Sequence, residues 1–346
     1  MPSDTMEAIL VDKFVKTFAE LTPREVPRPQ PKAGEVEVPI SHAALTHVDM
    51  LYALGKHQNN RRHMVDTSSA TNSPAPSPPP PPPLFPPGTR VFGSSLGSYA
   101  ESICVPTTSI RRVPSHWTPA EACAVGAWGA ISYGALIDAG KLAKGQAVLV
   151  LGATGGLGVM AVQIAQAVGA SVVVAVGGGE ASEKGRMMKT LLRADYVVDC
   201  EDCGWEGRVR GWTRDREGVD LVVDAVGAVE NGIACLRYRG RLVIVGFAAR
   251  GGRMEERFGE DGRRCPHRTT AAWEGFMSLV DAGKIRPVIF RDRTYRGLGE
   301  LPVALDDLHS RRVWGRAVLE VPSPPEREEK KEVVNKRLVG QGLSRL

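Results

Sequence analysis

Residues 144–246 predict an α/β domain built on a doubly wound parallel sheet, and three observations predict it. The segments Ala147–Leu151 (AVLVL), Ser171–Val176 (SVVVAV), Val219–Asp224 (VDLVVD) and 241–246 (RLVIVG) are apolar along nearly their whole length. Stretches of helical periodicity, at Gly156–Val168 and 180–193, separate the first of them. Gly152-Ala153-Thr154-Gly155-Gly156-Leu157-Gly158 joins the first strand directly to the first helix. A strand that is apolar throughout buries both faces, which a parallel sheet achieves when helices cover both its sides. Right-handed crossovers then wind the helices around the sheet.

Ahead of this domain the chain reads as short strands and turns. A strand is expected at 6–11, an extended proline-rich stretch at 21–31, and an alternating, half-buried strand at 35–40. Residues 46–54 suit a short helix with Thr46 or Ser41 near its cap. A break follows. From Ser73 to Pro87, ten of fifteen residues are proline, and proline fixes φ and has no amide donor. This run is expected as polyproline II or disorder, in a surface insertion or linker or as a ligand for a proline-recognising module. Strands are expected again at 90–92 and 98–105. The alanine-rich stretch 119–136 suits buried helix.

Within the parallel domain, Tyr196–Asp199 adds a short strand. Residues 250–268 are almost all glycine, charge and turn formers. Beyond them, 273–282 forms an amphipathic helix with Trp273, Phe276, Met277 and Val280 on one side. Strands are expected at 287–290 and 315–321, with helix Leu301–His309 between them, and the charged tail frays.

Composition narrows the function. The net charge of +5 is mild and scattered in arginine pairs. No basic module stands out, so nucleic acid is not expected as a partner. No apolar stretch of membrane length is free of turn signals. Six cysteines in 346 residues are too few for a disulfide framework. With no secretory signal pattern, a cytoplasmic location is the expectation. Cys200 and Cys203 have the spacing of a metal or redox pair but no second pair, and chance placement is the simpler reading.

The glycine turn carries the chemistry. Gly152 permits the bend off the strand. Gly155 and Gly156 leave out side chains where backbone must approach a pyrophosphate. Gly158 allows close packing of the helix. A diphosphate then lies at the helix N-terminus, held with Thr154 and Leu157 among unpaired amides at the positive end of the dipole. The second strand ends in Val176-Gly177-Gly178-Gly179 without the acid that would bond an unphosphorylated ribose, while Lys184 and Arg186 follow. This favours NADPH over NADH, although both bases also fit a solvated helix face. Val226, Gly246 and Phe247 end later strands, either flanking the ribose and nicotinamide or serving packing alone.

Together these motifs resemble the medium-chain dehydrogenase/reductase superfamily, in particular its zinc-independent quinone oxidoreductase, zeta-crystallin-like branch. GATGGLG, LRADYVVD, GVDLVVDAVG and YRGRLVIVGFA carry the likeness inside the parallel domain. GSYAESICVP, AGKIRPVIF and WGRAVLEV carry it outside. The resemblance implies a Rossmann-type cofactor domain at 126–270 and a GroES-like catalytic domain at 1–125, which the proline-rich insertion or replacement at 66–87 leaves incomplete. A return segment at 271–325 completes the catalytic domain, and a charged tail fills 326–346. It implies NADPH-dependent hydride transfer to a quinone or other α,β-unsaturated carbonyl, and a homodimer. Enoyl-thioester reduction is the alternative. A further alternative is a degenerate member that acts only as a binding protein.

The metal-dependent branch carries a Cys where Thr46 stands here, and a Gly-His-Glu that this chain lacks, so no metal is expected. The resemblance also implies an Asn-x-x-Asp-x-Tyr stretch lining the cleft. Here Thr46 and Asp49 match its first positions and Tyr52 falls one residue late, which leaves Asp49 and Tyr52 as the candidates on the catalytic side. His47 is expected as a satisfied polar residue. Residues 57–87 lack the family's Gly-x-Glu-x-x-Gly-x-Val block, and 250–268 lack its apolar strand.

Overall fold

The computed structural model describes residues 4–57, 85–248 and 270–322. At its centre is a five-stranded parallel sheet. Its strands are β8 (Ala147–Leu151), β9 (Ser171–Val176), β10 (Tyr196–Asp199), β11 (Val219–Asp224) and β12 (Leu236–Ile244), in the order β10-β9-β8-β11-β12. The doubly wound fold read from the sequence is present.

Both faces of the sheet are dry, and the alternation of side chains along each strand explains how. Val148, Val150, Val172, Val174, Leu221 and Val223 enter one apolar cluster, and Leu149, Leu151, Val173, Val198 and Val222 enter another. The first cluster is closed by Val159, Met160 and Ile164 of α4 (Gly156–Val168) and by Phe276 and Val280 of α8 (Thr270–Asp281). The second is closed by Trp205 and Val209 of α6 (Trp205–Gly211) and by Cys235 at the end of α7 (Val229–Cys235). Burying a side chain such as Met160 or Leu149 contributes about 1.5–3 kcal/mol.

Smaller sheets surround the parallel one, as a partial GroES-like domain would. β1 (Thr5–Ile9) pairs antiparallel with β2 (Pro23–Pro27), β3 (Glu35–Pro39) with β6 (Ser102–Pro106), and β5 (Val91–Gly93) with β7 (Ile110–Arg112). β14 (Val318–Glu320) lies between β13 (Tyr295–Arg296) and β4 (His42–Ala44). The return segment is thereby stitched to the N-terminal part, and Leu45, Met50, Leu301, Leu305 and Leu319 share one core. α1 (His47–Ala53) opens with a capping box in which Thr46 and Asp49 bond each other's backbone amides. α9 (Leu301–His309) forms with its expected bounds.

Pro119–Ala139 is long and apolar enough to cross a membrane by length and composition. Gly126, at φ +47°, divides it into α2 (Pro119–Val125) and α3 (Trp128–Tyr133), the latter running on as a π turn. Ala122, Val125, Ala130 and Leu136 are buried in the interior.

Three expectations are corrected. Residues 287–290 do not form a strand: Ile289 makes a single bridge to Arg316, and Pro287 has no amide to extend the ladder. The helix expected at 180–193 is shorter. A 3-10 turn, Gly179–Ala181, precedes it, and the Ser182 hydroxyl caps the Gly185 amide, so α5 runs from Glu183 to Thr190. β12 begins at Leu236 rather than 241, with a register shift opposite Val219 and Leu221. Most of the proline-rich run, the glycine-rich stretch 250–268 and the charged tail lie outside the described residues.

Candidate functional site

The glycine turn lies at the carboxyl edge of β8 and enters α4 directly. Gly152 has φ +77°, and a Cβ there would come 2.8 Å from Val226 Cγ1. Gly155 is the N-cap of α4 and bonds the Gly152 carbonyl at 3.1 Å, so the first amides of this 13-residue helix have no side-chain cap. Gly158 packs on the turn itself: a Cβ would overlap the Gly152 carbonyl and Ala153. Leu157 accepts the Ser132 hydroxyl at 2.9 Å through its carbonyl.

Gly156 carries a further constraint that the sequence reading did not include. A Cβ on Gly155 would meet nothing closer than 3.6 Å, but one on Gly156 would overlap the guanidinium of Arg316, with Nε at 2.6 Å. The missing side chain at Gly156 therefore makes room for an arginine. Arg316 arrives because the return segment runs beside the turn: Gly315 donates to the Thr154 carbonyl at 2.7 Å and bridges Gly155. Its residue exposure is 7%. Its Nη1 donates to the Leu45 carbonyl at 2.8 Å, its guanidinium lies over the Trp128 ring, and its Nε has no partner. Burial pulls its pKa down to about 10, against the opposing pull of Asp49, Cys123 and Tyr99.

Asp49 turns its carboxyl inward beside this arginine. Oδ2 accepts the Tyr99 hydroxyl at 2.7 Å and the Thr46 amide at 2.8 Å. Burial raises the Asp49 carboxyl above its ordinary value despite these bonds, and burial with the Asp49 charge raises the Tyr99 phenol well above its own. Tyr52, on the same helix, stacks on His57 with ring centroids 4.1 Å apart.

At the neighbouring strand ends, Asp224 is fully buried and its Oδ1 accepts the amides of Val226 and Gly227, both at 2.8 Å. Gly227, at φ +86°, holds its backbone against Phe247, and a Cβ on Gly246 would come 2.8 Å from the Ala225 carbonyl. Gly152, Val226, Gly246 and Phe247 thus share one edge of the sheet. Farther along it, Lys184 donates to the Arg311 carbonyl at 2.5 Å, while Arg186 turns back to the Ala181 carbonyl. His47 is not the satisfied polar residue expected: its Nε2 is buried without a partner.

A family model described as zinc-binding dehydrogenase matches residues 156–261. Over 234 residues the chain is 34% identical to an NAD-dependent alcohol dehydrogenase of Sulfolobus acidocaldarius, covering 65% of this chain and 64% of that protein. Over 346 residues it is 27% identical to erythronolide synthase EryA2 of Saccharopolyspora erythraea, covering 94% of this chain and 9% of the synthase. The chain thus spans under two thirds of the first relative and about a tenth of the second. Among solved structures, a probable oxidoreductase from Mycobacterium abscessus superposes with a TM-score of 0.69 at 26% identity, covering 93% of this chain and all of that one. The CurK enoyl reductase superposes with a TM-score of 0.75 at 19% identity, covering 92% of this chain and 100% of that one.

The chain has the fold of these two solved structures, a Rossmann-type parallel sheet flanked by smaller β sheets. A Rossmann-type sheet of this kind holds a dinucleotide at the carboxyl ends of its strands. No group of three or more His, Cys, Asp or Glu side chains that could hold a metal ion occurs among the described residues, and the Thr46 hydroxyl is occupied as a helix cap. Arg316 is the site residue that sequence reading missed. The signal available was a charge inside the apolar run from Val313 to Leu319. What it faces depends on a pairing across the fold that no local pattern encodes.

Proposed function

We propose that the chain is an NADPH-dependent reductase of carbon–carbon double bonds conjugated to a carbonyl, with enoyl thioesters as its substrate class. One observation carries the cofactor half of this reading: a helix N-terminus without a side-chain cap, lined by Gly152, Gly155 and Gly156, with the buried guanidinium of Arg316 beside it. Unpaired amides, the positive helix end and a fixed cation suit a diphosphate. Thr154, Leu157 and Gly158 shape the same turn. Val226, Gly246 and Phe247 line the edge where the nicotinamide half belongs. Bound there, a reduced nicotinamide supplies a hydride to the electrophilic carbon.

The substrate half rests on the relatives. A synthase matches over nearly the whole chain, and an enoyl reductase shares the fold, which favours an enoyl thioester over the quinone that the sequence resemblance implies. Tyr52 is the hydroxyl proposed to face the developing enolate. Asp49 acts through Arg316 as a positioning residue.

The test is a fluorescence titration with NADPH followed by an absorbance assay of NADPH oxidation with crotonyl-CoA and with para-benzoquinone. Turnover with the thioester, and a lower kcat for Tyr52→Phe at unchanged NADPH affinity, is the expected result. Turnover with the quinone alone would assign the other substrate class. Binding without turnover would leave a nucleotide-binding protein, and absence of binding would overturn the reading.

A further inference from the structure

A loop outside the parallel domain shows large apolar side chains to solvent. β1 ends at Ile9, and the chain then runs through Leu10-Val11-Asp12-Lys13-Phe14, every one of them exposed. Leu10, Val11 and Phe14 are 42%, 48% and 41% exposed. The loop is held at both ends. Ile9 donates its amide to the Tyr99 carbonyl at 2.8 Å, and Val15, itself buried, donates to the Ala53 carbonyl at 2.9 Å. The Phe14 ring lies on Gly55, where a Cβ would come 2.6 Å from it. The loop is thereby fixed to the carboxyl end of α1, the helix that carries Tyr52. Three large apolar side chains displayed together on a fixed loop point to a surface that binding covers.

The charges beside it indicate what the cover is. Asp12 is neutralised by Arg24 at 2.7 Å. Glu20 Oε1 accepts the amides of Lys16 and Thr17 at 2.7 and 2.9 Å. Lys13, Lys16 and Lys56 are exposed, and among the described residues none of the three forms an ion pair. The apolar part is a single short loop. A stable protein–protein interface takes about 800 Å² from each partner, more than one loop of this length supplies. A bilayer asks for less area: apolar side chains enter the boundary between headgroups and acyl chains while lysines stay at the anionic surface.

We propose that this loop docks the protein on an anionic lipid bilayer, with Leu10, Val11 and Phe14 entering the headgroup region and Lys13, Lys16 and Lys56 lying against the lipid charges. The docking does not depend on the reaction proposed above. The Asp12–Arg24 pair keeps the one acid of the apolar stretch from opposing the approach, since a neutralised pair meets a negative surface without net repulsion. With three lysines and a shallow apolar tip, the contact is peripheral and reversible, and salt weakens it.

The test is co-sedimentation of the full chain with vesicles of phosphatidylcholine alone and of equal parts phosphatidylcholine and phosphatidylserine. Binding to the mixed vesicles, weakened by added salt, is the expected result. Lys13→Gln is expected to lower it about fivefold, as one lysine near an anionic surface provides. Val11→Ser, at a side chain that packs on nothing buried, is expected to lower it about threefold through the lost apolar contact. Leu191→Ser, which removes an exposed apolar side chain on α5, should leave it unchanged. Absence of binding to the mixed vesicles, equal binding to both kinds, or binding that Leu191→Ser weakens as much as Val11→Ser would overturn the proposal. So would self-association in the absence of lipid that Val11→Ser abolishes, since the loop would then belong to a contact with a second copy of the chain.

Discussion

The guanidinium of Arg316 fills the space that a side chain on Gly156 would need, so the return segment and the glycine turn cannot be altered independently. An alanine at 156 would drive into the Arg316 side chain, which is fixed by Leu45 and Trp128. Gly156→Ala is expected to cost about 2 kcal/mol of stability, in the range of core overpacking, and to weaken NADPH binding. Gly155→Ala meets only ordinary contact and is expected to cost less than about 1 kcal/mol. Urea unfolding and NADPH titration of the two variants check the difference; equal behaviour would show that Arg316 yields its position freely.

Tyr99 and Asp49 provide a pH test. Burial holds the folded Asp49 carboxyl above its ordinary value of 3.8, so the folded state binds this proton more tightly than the unfolded chain does. Stability associated with Asp49 therefore falls as pH rises from the unfolded value through the folded one, and stays lower above it. The Tyr99 hydroxyl opposes this by bonding the ionised form. Tyr99→Phe should raise the Asp49 pKa further and cost about 1–2 kcal/mol, with the larger loss at neutral pH than in mild acid. Unfolding measured across that range decides it, and a cost independent of pH would count against the coupling.

Asp224 fixes the next strand end. Its Oδ1 serves two amides, and Asp224→Ala would leave both without this acceptor in a buried turn. A loss of about 2–3 kcal/mol is expected, together with weaker binding of whichever nucleotide the wild type accepts, because the backbone of Val226 and Gly227 would move. A thermal shift of the variant near zero would show that water or main chain replaces the carboxylate.

Lys184 offers a test of the preference between the two nucleotides. Lys184→Ala is expected to reduce NADPH affinity about tenfold, the value of one charge-assisted contact, and NADH affinity by less than about twofold. Isothermal titration with each cofactor measures this. A loss of equal size for both would remove Lys184 from the 2′-phosphate and make it a structural bond to the return segment.

Much of this protein could be read from its order of residues alone. β8, α4, β9, β10 and β11 form with the bounds expected, because apolar runs too short for anything but strands, and a helical period between them, each admit one local solution. The turn that joins β8 to α4 was legible for the same reason: glycine is required there by backbone geometry, which is a local property. Local pattern was less informative at 287–290, where an apolar strand-like run receives only a single bridge, and at 180–193, where a serine hydroxyl starts a new helix.

Tertiary structure alone decided what Gly156 makes room for, where Arg316 points, and that Asp49 and Tyr99 bond across 50 residues of chain. Side-chain periodicity records which face of an element is buried. It does not record which distant segment covers that face. Those partners are set by the closure of long loops and by sheet pairing between the two ends of the chain, and the electrostatics of the site follow from that closure, since a charge acquires its strength only when its neighbours have excluded the water around it.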